Sequence, residues 1–214
     1  MKKLLQINSS LFSNGGQSSQ LANHFVAAWR KQNPQGQLTV RDLAKDPVPH
    51  LSAERFQAFL AQPAARSAEQ AAVVDFSDTL IAELREADTI VLGLPMYNFG
   101  VPSILKAYFD HIARVGVTFR YSEKGPEGLL KGKRAYIFAA RGGKYAGTPL
   151  DSQSDYVRAF LNFLGIADVE FIYAEGLAMG DASKEGSLKE AHEVIARIVE
   201  HAAEKNIKPA YAVG

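Results

Sequence analysis

Three short segments carry residues whose types and spacing could do chemistry. The first is Asn8-Ser9-Ser10 followed by Gly15-Gly16-Gln17-Ser18-Ser19, a run of hydroxyls and glycines. Glycine lets backbone come close to a ligand, free amides at a helix start favour an anion, and serines add neutral donors. That composition suits a phosphate monoester, and it also suits a plain turn. No lysine follows the glycines and Gly-x-Gly-x-x-Gly is not spelled, so neither a nucleoside-triphosphate loop nor a dinucleotide fingerprint is present. The second segment is Met96-Tyr97-Asn98-Phe99, where aromatics can meet the face of a planar ring while backbone groups read its edge. The same residues would also serve to cap a core. The third, Ala140-Arg141-Gly142-Gly143, offers close backbone approach and a cation able to neutralise developing charge.

These segments need elements to position them. Apolar runs at Lys3–Asn8, Leu38–Leu43, Asp88–Pro95, Arg134–Ala140 and Val169–Ala174 predict short buried strands. Helical spacing predicts helices over Gln17–Gln32, Ala68–Glu86, Ser103–Arg114, Asp155–Leu164 and Lys184–Lys205, with a Pro-punctuated stretch and Ala53–Leu60 leading into the second. Ser18 or Ser19 is expected to cap the first helix. Residues 115–133, with their glycines and aromatics, read as a long structured loop or small hairpin.

Strands alternating with helices predict an α/β fold of three layers, with a five-stranded parallel sheet in the order 2-1-3-4-5. All of 1–214 is expected to form one domain. In such a sheet, ligands bind beyond the carboxyl ends of the strands where strand order reverses. That places the three segments around one ligand with a phosphate at one end and a flat heteroaromatic at the other. Flavin mononucleotide (FMN) fits that description.

Composition narrows the alternatives. The net charge is +1 over 214 residues, which disfavours a nucleic-acid protein working through bulk charge. There are no cysteines, so thiolate chemistry, disulfides and iron–sulfur ligation are excluded. The five histidines lack zinc-enzyme spacing, and no Gly-x-Ser-x-Gly elbow occurs, so no metal is expected. Gln6 and Asn8 interrupt the first apolar run too early for a secretory leader. The chain reads as cytoplasmic and as binding neither membrane nor nucleic acid.

Pro95-Met96-Tyr97-Asn98-Phe99, Gly116-Val117-Thr118-Phe119-Arg120-Tyr121, Gly125-Pro126-Glu127-Gly128-Leu129 and Arg141-Gly142-Gly143 together resemble the bacterial FMN-dependent NADH:azoreductase and quinone reductase family. The resemblance implies a flavodoxin-like homodimer with active sites near its interface. It implies cofactor contacts from Ser10, Gly16, Gln17 and Ser18, from Met96, Tyr97, Asn98 and Phe99, and from Ala140, Arg141, Gly142 and Gly143. Phe119 and Tyr121 would wall the substrate cavity.

The implied reaction passes a hydride from NADH or NADPH through FMN to a quinone or azo compound, in ping-pong fashion. The flavin does the chemistry, so no catalytic side chain is expected. Reduction of nitroaromatics or free flavin is the alternative enzyme. A flavodoxin-like electron carrier is the alternative without a small-molecule substrate. Family members often carry serine at the positions of Gly16 and Ala140. A lost neutral hydroxyl contact costs about 0.5–1.5 kcal/mol, so Gly16→Ser is expected to tighten FMN binding.

Overall fold

The computed structural model describes residues 1–207. The seven residues of the expected domain beyond that point, 208–214, lie outside the described residues.

Five parallel strands form the sheet: β1 (Lys3–Asn8), β2 (Gln37–Asp42), β3 (Thr89–Pro95), β6 (Arg134–Ala140) and β7 (Asp168–Ala174), in the order β2-β1-β3-β6-β7. This is the expected topology. The numbers change only because β4 (Phe119–Ser122) and β5 (Gly125–Gly128) pair as a separate antiparallel hairpin. The hairpin resolves the two readings of 115–133.

Side chains alternate across the strands, and each face carries its own core. Leu5, Ile7, Ile90, Leu92, Leu94 and Ile137 face α3 (Ala68–Glu86), α4 (Ser103–Ile112) and α5 (Ser152–Leu164). Leu4, Val91, Tyr136, Phe138 and Ile172 face α1 (Gln17–Gln32) and α6 (Asp181–Ile207). A short helix, α2 (Ala53–Leu60), packs against α3.

Several boundaries differ from the sequence reading, and caps explain most of them. Gly16, with extended backbone and no side-chain cap, precedes α1, so Ser18 and Ser19 sit inside the helix. Asp151 accepts from the Ser154 amide and starts α5 three residues before the expected Asp155. Among the described residues no helix is long and apolar enough to cross a membrane.

Candidate cofactor cradle

Strand order reverses between β1 and β3, and the loops that leave β1, β3 and β6 meet there. Ser9 is buried and donates to the Gly93 carbonyl at 2.7 Å, which fastens the first loop to β3. A Cβ on Gly93 would lie 3.3 Å from Ser18 backbone, so a bare strand position lets the start of α1 approach the sheet. Ser10 is buried, and its Oγ accepts from the Phe12 amide at 3.2 Å.

The start of α1 has the features of an anion site. Without a side-chain cap, the first-turn amides have no acceptor within the helix, and the positive end of the helix dipole lies there. Ser18 and Ser19 are 0% exposed and their hydroxyls have no partner. A buried, unpaired hydroxyl is costly in a finished fold, so both groups fit a ligand that supplies acceptors.

The second loop folds into a tight turn. Tyr97 and Gly100 exchange backbone hydrogen bonds at 3.2 and 3.0 Å, and between them Asn98 and Phe99 take φ of 50° and 63°. Positive φ outside glycine costs of order 1–3 kcal/mol per residue. The amides of Asn98 and Phe99 meet no acceptor among the described residues. The Phe99 ring lies edge-on to Tyr145 at 5.5 Å, which brings the second loop against the third. The Tyr97 hydroxyl lies 3.5 Å from Ser10 Oγ and bridges toward the first loop. Met96 donates its amide to the Ala140 carbonyl at 3.0 Å.

In the third loop, Gly142 and Gly143 offer their carbonyls to Ala178 and Gly176 at 3.0 and 2.9 Å. A Cβ on Gly143 would sit 2.6 Å from the Tyr145 ring, so glycine is what lets that ring fold back. Arg141 does not fill the role assigned from the sequence. Its guanidinium is buried against Asp151 at 2.9 Å, Ser154 at 2.8 Å and Glu175 at 3.1 Å, and lies over the Tyr173 ring. Two carboxylates already satisfy that charge, so the side chain braces the loop from behind.

The structure thus brings Ser10, Gly16, Gln17, Ser18, Met96, Tyr97, Asn98, Phe99, Ala140, Arg141, Gly142 and Gly143 to one end of the sheet. It does not bring Phe119 and Tyr121 there. Phe119 packs against Phe163 at 4.3 Å, in the last turn of α5. The 13 residues of α5 span about 20 Å from the cradle to that turn. Tyr121 is 71% exposed.

Sequence reasoning also missed Asp151, Ser152, Gln153, Ser154 and Glu175, the polar residues behind the second and third loops. The Asp151-x-x-Ser154 capping pattern was the available signal.

Gly16 needs a second correction. Its backbone angles suit any residue, yet a Cβ there would lie 2.1 Å from Ser10 Oγ and 2.6 Å from Ser10 Cβ. Serine at this position displaces Ser10 before it can offer a hydroxyl. Gly16→Ser is therefore expected to weaken FMN binding, by about tenfold for one displaced contact. Tighter binding in a fluorescence titration would mean that the loop relaxes freely.

Comparison with known proteins decides the family. A family model described as a flavodoxin-like fold matches residues 2–199. The chain is 62% identical over 180 residues to an FMN-dependent NADH:quinone oxidoreductase of Cellvibrio japonicus, covering 84% of this chain and 90% of that protein. The chain belongs to the flavodoxin-like family of FMN-dependent NADH:quinone oxidoreductases and azoreductases.

A second family member, FMN-dependent NADH:quinone oxidoreductase 6 of Burkholderia lata, is 55% identical over 196 residues, 92% of this chain and 99% of that one. Among solved structures, an FMN-dependent NADH-azoreductase from Bacillus anthracis in complex with FMN superposes with a TM-score of 0.83 at 29% identity. It covers 93% of this chain and 100% of that chain.

Proposed function

We propose that this protein is an FMN-dependent NADH:quinone oxidoreductase that also reduces azo compounds. One observation carries the reading: an uncapped helix start with two buried, unpartnered serine hydroxyls faces a strained turn with two free amides across the sheet's switch point. The residues present fit FMN. The α1 amides, Ser10 and Ser18 would hold its phosphate. The 96–99 loop and the Ala140–Gly143 loop would hold its ring.

Bound FMN supplies the redox chemistry, a hydride taken from NADH and two electrons given to the acceptor. The chain supplies position and electrostatics. The amides of Asn98 and Phe99 would serve the ring as fixed donors and would favour negative charge on it at no reorganisation cost. The Phe99 and Tyr97 rings would give a flat acceptor an aromatic surface.

Phe119 and Tyr121 are too far from their own cradle to wall its cavity. They line a cavity of about 530 Å³ with Phe56, Phe59, Leu60 and Val117, next to exposed Val115. Such an apolar face is rarely left to water. In our reading a second copy covers it, and the hairpin of one protomer reaches the cradle of its partner in a homodimer. The same reading takes the whole chain as one domain, working in the cytoplasm where its reduced donor is kept.

The test is an absorbance spectrum of the purified protein, then anaerobic NADH, then benzoquinone. Yellow protein that bleaches with NADH and recovers with quinone supports the proposal. Flavin that NADH fails to bleach would instead make this an electron carrier. Failure to take up flavin on reconstitution would remove the cradle itself.

A further inference from the structure

The two left-handed residues of the 97–100 turn need something to hold them, and the candidates within the turn itself are few. Its two cross-turn hydrogen bonds are also available to a relaxed turn. Further hydrogen bonds to the carbonyls of this loop come from the start of α5. Gln153 is 1% exposed, and its Nε2 donates to the carbonyls of Pro95 at 2.9 Å and Gly100 at 3.1 Å. Ser152 Oγ donates to the Phe99 carbonyl. Three carbonyls of one loop are thus gripped by two adjacent side chains on a helix.

That helix is itself tied to the other ring-side loop. Gln153 Oε1 accepts from Arg141 Nη2 at 3.4 Å, so the amide orientation is fixed at both ends. Arg141 also holds Glu175, whose carboxylate accepts from the amides of Tyr145 and Ala146, both at 2.9 Å. Neither Gln153 nor Ser152 belongs to a loop in the cradle, and neither replaces a free donor there.

We infer that Gln153, assisted by Ser152, is a positioning residue that sets the strained 97–100 turn against the Arg141 loop and so fixes the pair of amides that receives the flavin ring. The inference rests on the cradle reading above. It deepens that reading by separating the two ends of the site. The phosphate end is built from residues 8–19, and the Gln153 side chain hydrogen-bonds to Pro95, Gly100 and Arg141 instead. A residue that acts through the turn changes ring recognition and leaves phosphate recognition alone.

Riboflavin lacks the phosphate, so the ratio of its dissociation constant to that of FMN reports the phosphate end. Gln153→Met keeps the volume and removes every hydrogen bond. The expected result is affinity for FMN and for riboflavin reduced alike, by roughly tenfold or more, with the ratio unchanged. At saturating FMN, the visible circular dichroism of the bound flavin changes while the melting temperature stays within a few degrees. Ser152→Ala, at an exposed position, shows the same pattern with a smaller loss and serves if Gln153→Met does not fold.

Wild-type affinity for both flavins in these variants overturns the inference. So does a ratio that falls along with the affinities, because that signals general loosening. If the unaltered protein binds neither flavin, the cradle reading fails first and this inference falls with it.

Discussion

Gly128→Ala is expected to lower stability by about 3 kcal/mol, at the upper end for overpacking. For a chain of this size that is a fall in melting temperature of about 6–12 °C. The reason is backbone against backbone. A Cβ on Gly128 would stand 2.0 Å from the Gly165 nitrogen and 2.2 Å from the Leu164 carbonyl carbon. No side chain there can rotate away. Gly165 is fixed too, because it ends α5 at φ 100°.

Relief requires β5 to lift from the end of α5, which breaks the Leu130 amide to Leu164 carbonyl bond of 2.8 Å. The hairpin would detach while the cradle, about 20 Å along α5, stays formed. Calorimetry with and without FMN tests both halves. An unchanged melting temperature would show that the hairpin seat is soft. Lost FMN affinity would show that the hairpin supports a cradle, either its own through the fold or its partner's across the proposed interface.

Arg141→Met is the second large effect. Side-chain exposure is 0% for Arg141, 7% for Asp151 and 16% for Glu175, so removing the cation leaves two poorly hydrated carboxylates without their shared counter-charge. Breaking a buried pair in this way costs about 3–5 kcal/mol. The pH dependence gives the signature. In the unaltered protein burial disfavours the Asp151 carboxylate, but hydrogen bonds from Arg141 and Ser154 outweigh it and hold the carboxyl below its ordinary value.

A depressed value means that this group stabilises the fold above its unfolded pKa of about 4, and that the contribution drains away as pH falls through the lower folded value. In Arg141→Met the Ser154 hydrogen bonds to Asp151 remain while the contributions of Arg141 are lost, so the carboxyl moves up from its lowered value and less of its stabilisation is left to lose in acid. Urea unfolding at pH 7 and pH 3 should therefore show the gap between the variant and the unaltered protein narrowing at pH 3. A variant equally weak at both values would mean that the loss is one of packing rather than charge.

The fold was legible because strand burial is written in the sequence as apolar runs such as Ile90-Val91-Leu92. Alternation with amphipathic helices then leaves one topology. The three cradle loops were legible for a related reason: each follows a strand, and topology places such loops together. What was not legible depends on side chains meeting from distant positions. Arg141 looked available because its partners Asp151 and Glu175 lie 10 and 34 residues away. Gln153 carried no signal at all, since a glutamine near a helix start reads as solvated. Phe119 and Tyr121 are placed by resemblance at a substrate cavity near a dimer interface, an arrangement between two chains that residue order along one chain does not spell out. Gly16 looked like a missing hydroxyl because the neighbour that fills its space, Ser10, was itself counted as a separate contact.

The turn at Asn98 and Phe99 has a further consequence. Asn-Gly is the sequence that such a turn accepts most readily, and phenylalanine in the second place is among the poorer choices. Phe99 at φ 63° therefore sets durability against shape: the position gives up some stability and presents in return an aromatic surface that glycine would not supply.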